Sequence, residues 1–414
     1  MGRHRNGQLC QSPQGLDLRW LERDSARHHR QVHSGALTGM NFEYSQEQLI
    51  LQQSVQRLLS GHECAMRESG GVGSIWSAYA RLGLPSINIP EAYGGLGLGP
   101  IENAMVMRQV GKELCTAPFL ASAIYGTILF ELTATADQKA SFYPALIDGS
   151  ARLAVAHDGS SFHSDWKRLP VSAAPHGAGY FLNGQVARVF AGVDATHILV
   201  CASLAEAEDE SDCVAVFIVP RSVNGLSLTP RRTIDSRNAD LLTLTAVYVP
   251  AQSILASGRK AADGLAIAAM HATVGCINET VGAMEELLYT TVDYLKMRRQ
   301  FDMPISAFQA LRHRAVDSLV EVEQAKSMAI YATMQLGAPQ QTRENGVAAS
   351  KLFVNRAARI VAETAVQLHG AIGMTIESKP GRLFNRLTAC QLMFGESQRL
   401  LSRMLETTPS ILAN

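Results

Sequence analysis

Two short stretches in the C-terminal half hold side chains suited to a large, anionic, planar ligand. They are Arg298-Arg-Gln-Phe301 with Pro304-Ile-Ser-Ala-Phe-Gln309, and Gln367-Leu-His-Gly-Ala-Ile-Gly-Met374. A guanidinium and a carboxamide both hydrogen-bond pyrophosphate oxygens, the first with the help of its charge. Gly370 removes the side chain where a ligand must meet the backbone. Each residue alone also fits an ordinary role: Arg298 a solvated charge, Phe301 and Phe308 core residues, Gly370 a helix C-cap. Their order and spacing together are what point to a ligand.

Chemistry of this kind needs rigid elements beneath it. Between Ala261 and Glu406 the apolar residues recur at helical spacing in four long stretches, Ala261–Arg299, Ile305–Leu336, Gly346–His369 and Arg386–Glu406. Four long helices with short connections predict an antiparallel bundle. From about 155 to 255 the period is two. Gly179–Gly184, Thr196–Cys201, Val214–Pro220 and Leu241–Pro250 read as strands bounded by Gly, Pro and Asn, which predicts a small β-barrel or sandwich. Residues 40 to 154 are helical again. Ser45 to Gln48 forms a capping box ahead of the stripe Leu51, Val55, Leu58, Leu59, and Gly83 closes the helix containing Trp76. The apolar run from Ala117 to Phe130 is too short to span a bilayer and reads as a buried helix. The expected architecture is therefore multidomain α+β: an N-terminal all-α domain (40–154), a middle β domain (155–255) and a C-terminal four-helix bundle (256–414).

At this point the chain resembles the acyl-CoA dehydrogenase family of flavoenzymes, over about residues 40 to 408. The resemblance rests on R-x-x-F, P-I and F-Q at Arg298 to Gln309, on Q-x-x-G at Gln367 to Gly370, and on P-x-x-Y-G-G-x-G at Pro90 to Gly97. It implies FAD as cofactor, with Arg298, Phe301, Phe308, Gln309, Gln367 and Gly370 around it and Arg298 reaching the pyrophosphate of a neighbouring subunit. It implies α,β-dehydrogenation of an acyl-CoA thioester. A carboxylate takes the α proton while the β hydride leaves to the flavin. The glycines of Pro90 to Gly99 then form a tight turn beside a ligand cleft, not a dinucleotide loop, because no strand–helix unit frames them.

Several positions depart from the family pattern. Ala371 and Asp302 stand where glycines are usual, and Arg188 stands where a tryptophan commonly lies against the ring. The loop expected against the flavin, Val155 to Asp165, keeps only its small polar character and its final Ser-Asp. The base is the largest departure. With Gly395 matched to the motif glycine, Phe394 takes the position of the usual Glu, and Ala272 takes that of the alternative base in the first bundle helix. Glu396 is the nearest carboxylate and the candidate base. Two residues along a helix turn a side chain by roughly 200°, so its other reading is a solvated helix-start carboxylate. This pattern resembles subunits of mixed assemblies in which a partner carries the base.

Three readings follow: an acyl-CoA dehydrogenase or a subunit of one; a base-less partner that completes the FAD pocket of a heteromeric enzyme; and a flavin oxidase or monooxygenase on the same fold, for which His271 beside Ala272 is the residue to test. The expected partners are acyl-CoA and other subunits of a homo- or hetero-oligomer, dimer or tetramer; the electron acceptor stays open. The resemblance implies a role in lipid metabolism, and composition reads as an ordinary soluble globular protein of the cytoplasm. The 37 basic and 37 acidic residues balance, giving no electrostatic reason to expect nucleic acid or a membrane surface. Seven dispersed cysteines without CxxC spacing predict reduced, mostly buried thiols and no metal. Residues 1 to 39, rich in Arg and His without an apolar core, read as a disordered or misassigned extension.

Overall fold

The computed structural model describes residues 44–60, 71–157, 169–204 and 213–407. The N-terminal extension and most of the loop expected against the flavin lie outside them. The capping box is formed as the sequence predicts: Gln48 N donates to Ser45 Oγ at 3.2 Å and Ser45 N to Gln48 Oε1 at 2.9 Å. It opens α1 (Gln46–Ser60), which is followed by α2 (Gly71–Arg81), α3 (Pro100–Lys112), α4 (Thr127–Thr133) and α5 (Ala136–Ile147). The run Ala117 to Phe130 is helical and buried, but eight of its residues, Phe119–Gly126, wind as a π-helix.

Eight strands form one sheet, ordered β6-β7-β3-β2-β4-β5-β8 with β1 paired to β4. They are β1 (Leu153–Ala156), β2 (Val171–His176), β3 (Gly179–Phe190), β4 (His197–Leu204), β5 (Val214–Pro220), β6 (Leu226–Thr229), β7 (Ala239–Pro250) and β8 (Ile254–Ser257). The four strands read from sequence correspond to β3, β4, β5 and β7; the other four are short, or flanked by turns that hide the alternation. The pleat divides the apolar residues cleanly. Leu153, Val155, Leu199, Cys201, Val214 and Val216 join the helical core, while Ala154, Ile198, Val200, Ala215, Phe217 and Val219 join a second core within the sheet. The middle domain is thus fixed to the helices by one face of β1, β4 and β5, together with Leu255 and Ala256 of β8.

The bundle is α6 (Arg259–Met297), α7 (Gln309–Gln335), α8 (Gln340–His369), α9 (Lys379–Leu392) and α10 (Ser397–Thr407). The expected fourth helix, Arg386–Glu406, is two helices. The chain breaks at Met393 to Glu396, where Phe394 has φ 53° and Gly395 φ 131°. An apolar period runs through the break, so the pattern alone hides it. Helix α6 is buried over most of its 39 residues because it faces both the bundle and the N-terminal domain. Its crossing with α3 is backbone on backbone. A Cβ on Gly111 would lie 2.0 Å from Glu279 O, and one on Gly282 2.0 Å from Arg108 O. Neither carbonyl can swing aside, so Gly282→Ala should cost about 1–3 kcal/mol through overpacking. The check is a lowered urea midpoint at unchanged slope.

Candidate active site

The turn after α6 is built by short-range bonds. Arg298 N donates to Tyr294 O at 2.8 Å, Ile305 N to Arg298 O at 2.8 Å, and Arg299 Nη2 to Asp302 O at 2.7 Å. Phe301 and Asp302 occupy the tip with φ 54° and 61°, two successive left-handed residues as in a type I′ turn. This explains why glycine suits position 302, and aspartate is among the few other residues that tolerate it. The tip folds Phe301 to within 6.1 Å of Phe308, ring to ring, edge on face. Gln309 then opens α7.

The end of α8 meets this turn. The Tyr294 ring stacks on His369 with centroids 4.5 Å apart, and its hydroxyl donates to His369 O at 3.4 Å. Gln367 and Gly370 therefore sit at the same end of the bundle as Arg298. All six expected cofactor residues (Arg298, Phe301, Phe308, Gln309, Gln367 and Gly370) are exposed, Phe301 by 82%. Gly370 has φ 67° and ψ −147°, a conformation essentially restricted to glycine, and an added Cβ would meet no atom within 4 Å. The Arg298 guanidinium pairs with no carboxylate among the described residues. Burial holds the His369 imidazole below its usual pKa; Nδ1 bonds Ala365 O at 2.9 Å, and buried Nε2 has no partner among the described residues. An open backbone, an unpaired cation and an orphaned ring nitrogen fit the pyrophosphate end of FAD.

A second centre lies where the three domains meet. A cavity of about 660 Å³ is lined by Met107, Val110, Leu120 and Ala121 from the N-terminal domain, Phe190 from β3, the segment from Arg232 to Asn238, and Met393 and Phe394 after α9. Phe394 is 3% exposed. Its ring lies 5.6 Å edge-on from Tyr125 and 5.6 Å from Phe190, and its carbonyl accepts from Thr273 Oγ1 at 3.4 Å. Asn355 Nδ2 donates to Gly395 O at 3.2 Å and to Gln391 O at 3.3 Å, which holds the left-handed turn in place. Behind Phe394, Tyr125 Oη lies 3.2 Å from His157 Nδ1.

The base candidates divide around this cavity. Ala272 is fully buried in α6 and carries no acid. Glu396 is exposed at the start of α10, its carbonyl accepting from Leu400 N at 3.0 Å, and it does not line the cavity. His271 is pushed down to about 4 by burial and by Arg343, so it is a neutral ring at pH 7. The glycine turn of Ile87 to Gly99 also stays outside the cavity lining. Its glycines permit tight backbone: a Cβ on Gly95 would lie 2.1 Å from Ile89 O.

Sequence reasoning missed the charged wall of the cavity. Arg386 on α9 pairs with Asp235 and with Glu279 of α6, both at 2.8 Å, and donates to the carbonyls of Leu114 and Cys115. Arg237 pairs with the same two carboxylates at 2.6 and 2.9 Å. Burial pushes the Asp235 carboxyl up, but Arg237 and Arg386 outweigh it and hold it below the usual range. The signal available beforehand was Glu279 itself, a lone carboxylate in an otherwise apolar stretch of helix.

The layout around this cavity is helical, β and helical, in the order the sequence predicts. The acyl-CoA dehydrogenase N-terminal domain family matches residues 45–150, and the acyl-CoA dehydrogenase C-terminal domain family matches residues 264–408. The chain belongs to the acyl-CoA dehydrogenase family, FAD-dependent oxidoreductases acting on CH–CH donors. It is 25% identical over 369 residues to the probable acyl-CoA dehydrogenase YngJ of Bacillus subtilis, covering 87% of this chain and 97% of that one. Among solved structures, it matches the ChsE4–ChsE5 complex of Mycobacterium tuberculosis with a TM-score of 0.78 at 24% identity, covering 90% of this chain and all of that one. It also matches the Tcur3481–Tcur3483 steroid ACAD with a TM-score of 0.74 at 25% identity, over 87% and 97% of the two chains.

Proposed function

We propose that this chain is a subunit of an acyl-CoA dehydrogenase in which it completes a shared FAD site while another chain supplies the base. The observation that supports this reading is Phe394, whose buried ring lines the cavity and which, with Gly395 matched to the motif glycine, takes the sequence position of the family's usual Glu. FAD, when bound, supplies the acceptor for the hydride leaving the β carbon. This chain's part is to hold and to orient. Arg298 and Gln367 would bind pyrophosphate oxygens, Gly370 would let the cofactor approach the backbone, and Phe301, Phe308 and Gln309 would flank it. The cavity would exclude water from the acyl thioester, with Phe190 and Phe394 as its aromatic end.

The bundle end also carries exposed Met297, Phe301, Met303, Ile372, Met374 and Ile376. Several large apolar side chains exposed near one end of the bundle agree with cofactor residues that serve a neighbouring subunit. Two of the matched structures carry the names of two proteins each. No helix among the described residues is long and apolar enough to cross a membrane, and a cytoplasmic enzyme fits buried cysteines that form no disulfide there.

The test compares the chain alone with the chain co-expressed beside a second dehydrogenase, reading flavin stoichiometry and acyl-CoA-dependent bleaching. Bleaching should need the partner. Full bleaching by the chain alone would refute the division of labour. Glu396→Gln should leave the bleaching of the assembled enzyme unchanged, because the carboxylate faces solvent; its loss would make Glu396 the base.

A further inference from the structure

Arg237 and Arg386 answer the same two carboxylates, but only Arg386 is fully spent. It places all three guanidinium nitrogens against oxygen: Nε beside Asp235 Oδ2, Nη1 on Glu279 Oε1 and Cys115 O, and Nη2 on Leu114 O. Arg237 donates from Nε to Asp235 Oδ2 at 2.6 Å, and from Nη1 to the two oxygens of Glu279 at 2.9 and 3.2 Å. Its Nη2 meets only sulfur among the described residues, Met393 Sδ at 3.2 Å and Cys390 Sγ at 3.6 Å. A thioether and a thiol are weak acceptors, and a charged donor taken from water without a good acceptor is costly. The Arg237 side chain is 15% exposed, and Arg237 and Met393 both line the cavity. The nitrogen that lacks an oxygen therefore stands at the cavity wall, beside one flexible thioether that an entering group can displace.

We propose that Arg237 determines specificity: its Nη2 donates to a neutral acceptor oxygen, a ketone or a hydroxyl, carried on the acyl group away from its thioester. The proposal rests on the reading above that this cavity holds the acyl group. Charge selects a neutral oxygen over a carboxylate. Arg237 and Arg386 already balance Asp235 and Glu279, two against two, and a third carboxylate on Arg237 would face both acids across one guanidinium. Lys351, a further buried cation, does not line the cavity and is engaged by Cys390 O at 2.6 Å and Asn355 Oδ1 at 2.9 Å. A ketone or a hydroxyl brings a lone pair without a charge. Met107, Val110, Leu120 and Ala121 give the same cavity an apolar side. An otherwise apolar acyl group can bury its surface there while one placed donor fixes its orientation.

The experiment titrates the assembled enzyme with straight-chain S-alkyl-CoA thioethers, which lack the carbonyl that acidifies the α carbon and so report binding without turnover. Each chain length is taken as the alkyl parent, the terminal methyl ketone, the terminal alcohol and the terminal carboxylate. At the length that reaches Arg237, the ketone and the alcohol should bind about ten- to hundredfold tighter than the parent, the range of a hydrogen bond from a charged donor. Arg237→Lys keeps a cation beside Asp235 and Glu279, loses Nη2, and should erase that gain while the parent binds as before. The carboxylate should show no gain that depends on Arg237. Should the variant fail to fold, a ketone thioether carrying a photoreactive diazirine beside its carbonyl should label Met393 in the wild type. Binding of the parent with no gain at any length, a gain that survives Arg237→Lys, a carboxylate preferred through Arg237, or labelling only at other residues would each overturn the proposal and leave the acyl reading standing. No binding by any thioether would overturn both.

Discussion

Arg298→Ala, expressed in the assembled enzyme, should emerge from gel filtration with most of its flavin lost. A charge-assisted hydrogen bond contributes about 1.5–3 kcal/mol, which corresponds to roughly ten- to more than hundredfold in Kd. The guanidinium has no carboxylate partner among the described residues, so its removal should leave the melting temperature of the cofactor-free protein within a degree or so of wild type, as for surface substitutions away from special features. Arg298→Lys separates charge from geometry. It keeps the cation, loses the planar fork, and should fall between the two. Unchanged flavin content in Arg298→Ala would remove the bundle end from the cofactor site and with it the subunit reading proposed above.

That prediction was legible in the sequence because its residues belong to two local motifs at helix ends. Arg298 to Gln309 is a turn, and Gln367 to Gly370 is a C-cap, so spacing along the chain already fixes what each can reach. The same locality explains the three-domain order, since the period changes from helical to two and back. Phe394 was legible as a missing carboxylate but not as a turn, because the apolar period of α9 and α10 continues across it. Glu396 looked close to the site by count; the left-handed residue and Gly395 put it outside the cavity lining. The ion network was not legible at all. Its pairs join residues 42 and 107 positions apart on a loop and two helices, and no periodicity links such positions. The hydrogen bond from Lys351 Nζ to Cys276 Sγ is hidden for the same reason, 75 positions separating its members.

The largest stability effect is expected at Arg386. Its side chain is 1% exposed, and it bridges all three parts of the molecule: Asp235 before β7, Glu279 on α6, and the carbonyls of Leu114 and Cys115 after α3. Methionine fills much of the same volume but leaves those carbonyls without their donor, and leaves two carboxylates to share Arg237. Removing one member of a buried pair typically costs about 3–5 kcal/mol, and the midpoint of thermal unfolding should fall accordingly. The cause is charge and not packing, so a second change can separate the two. Asp235→Asn in the Arg386→Met background removes the surplus negative charge and should recover part of the loss, although Asp235→Asn alone should destabilise. A double-mutant cycle with an interaction energy in the range of about 0.5–3 kcal/mol is expected for such neighbours. Strict additivity would mean that Arg386 acts through its carbonyl contacts alone. The wall of the cavity would then be held by the chain after α3, and the carboxylates would serve only to neutralise Arg237.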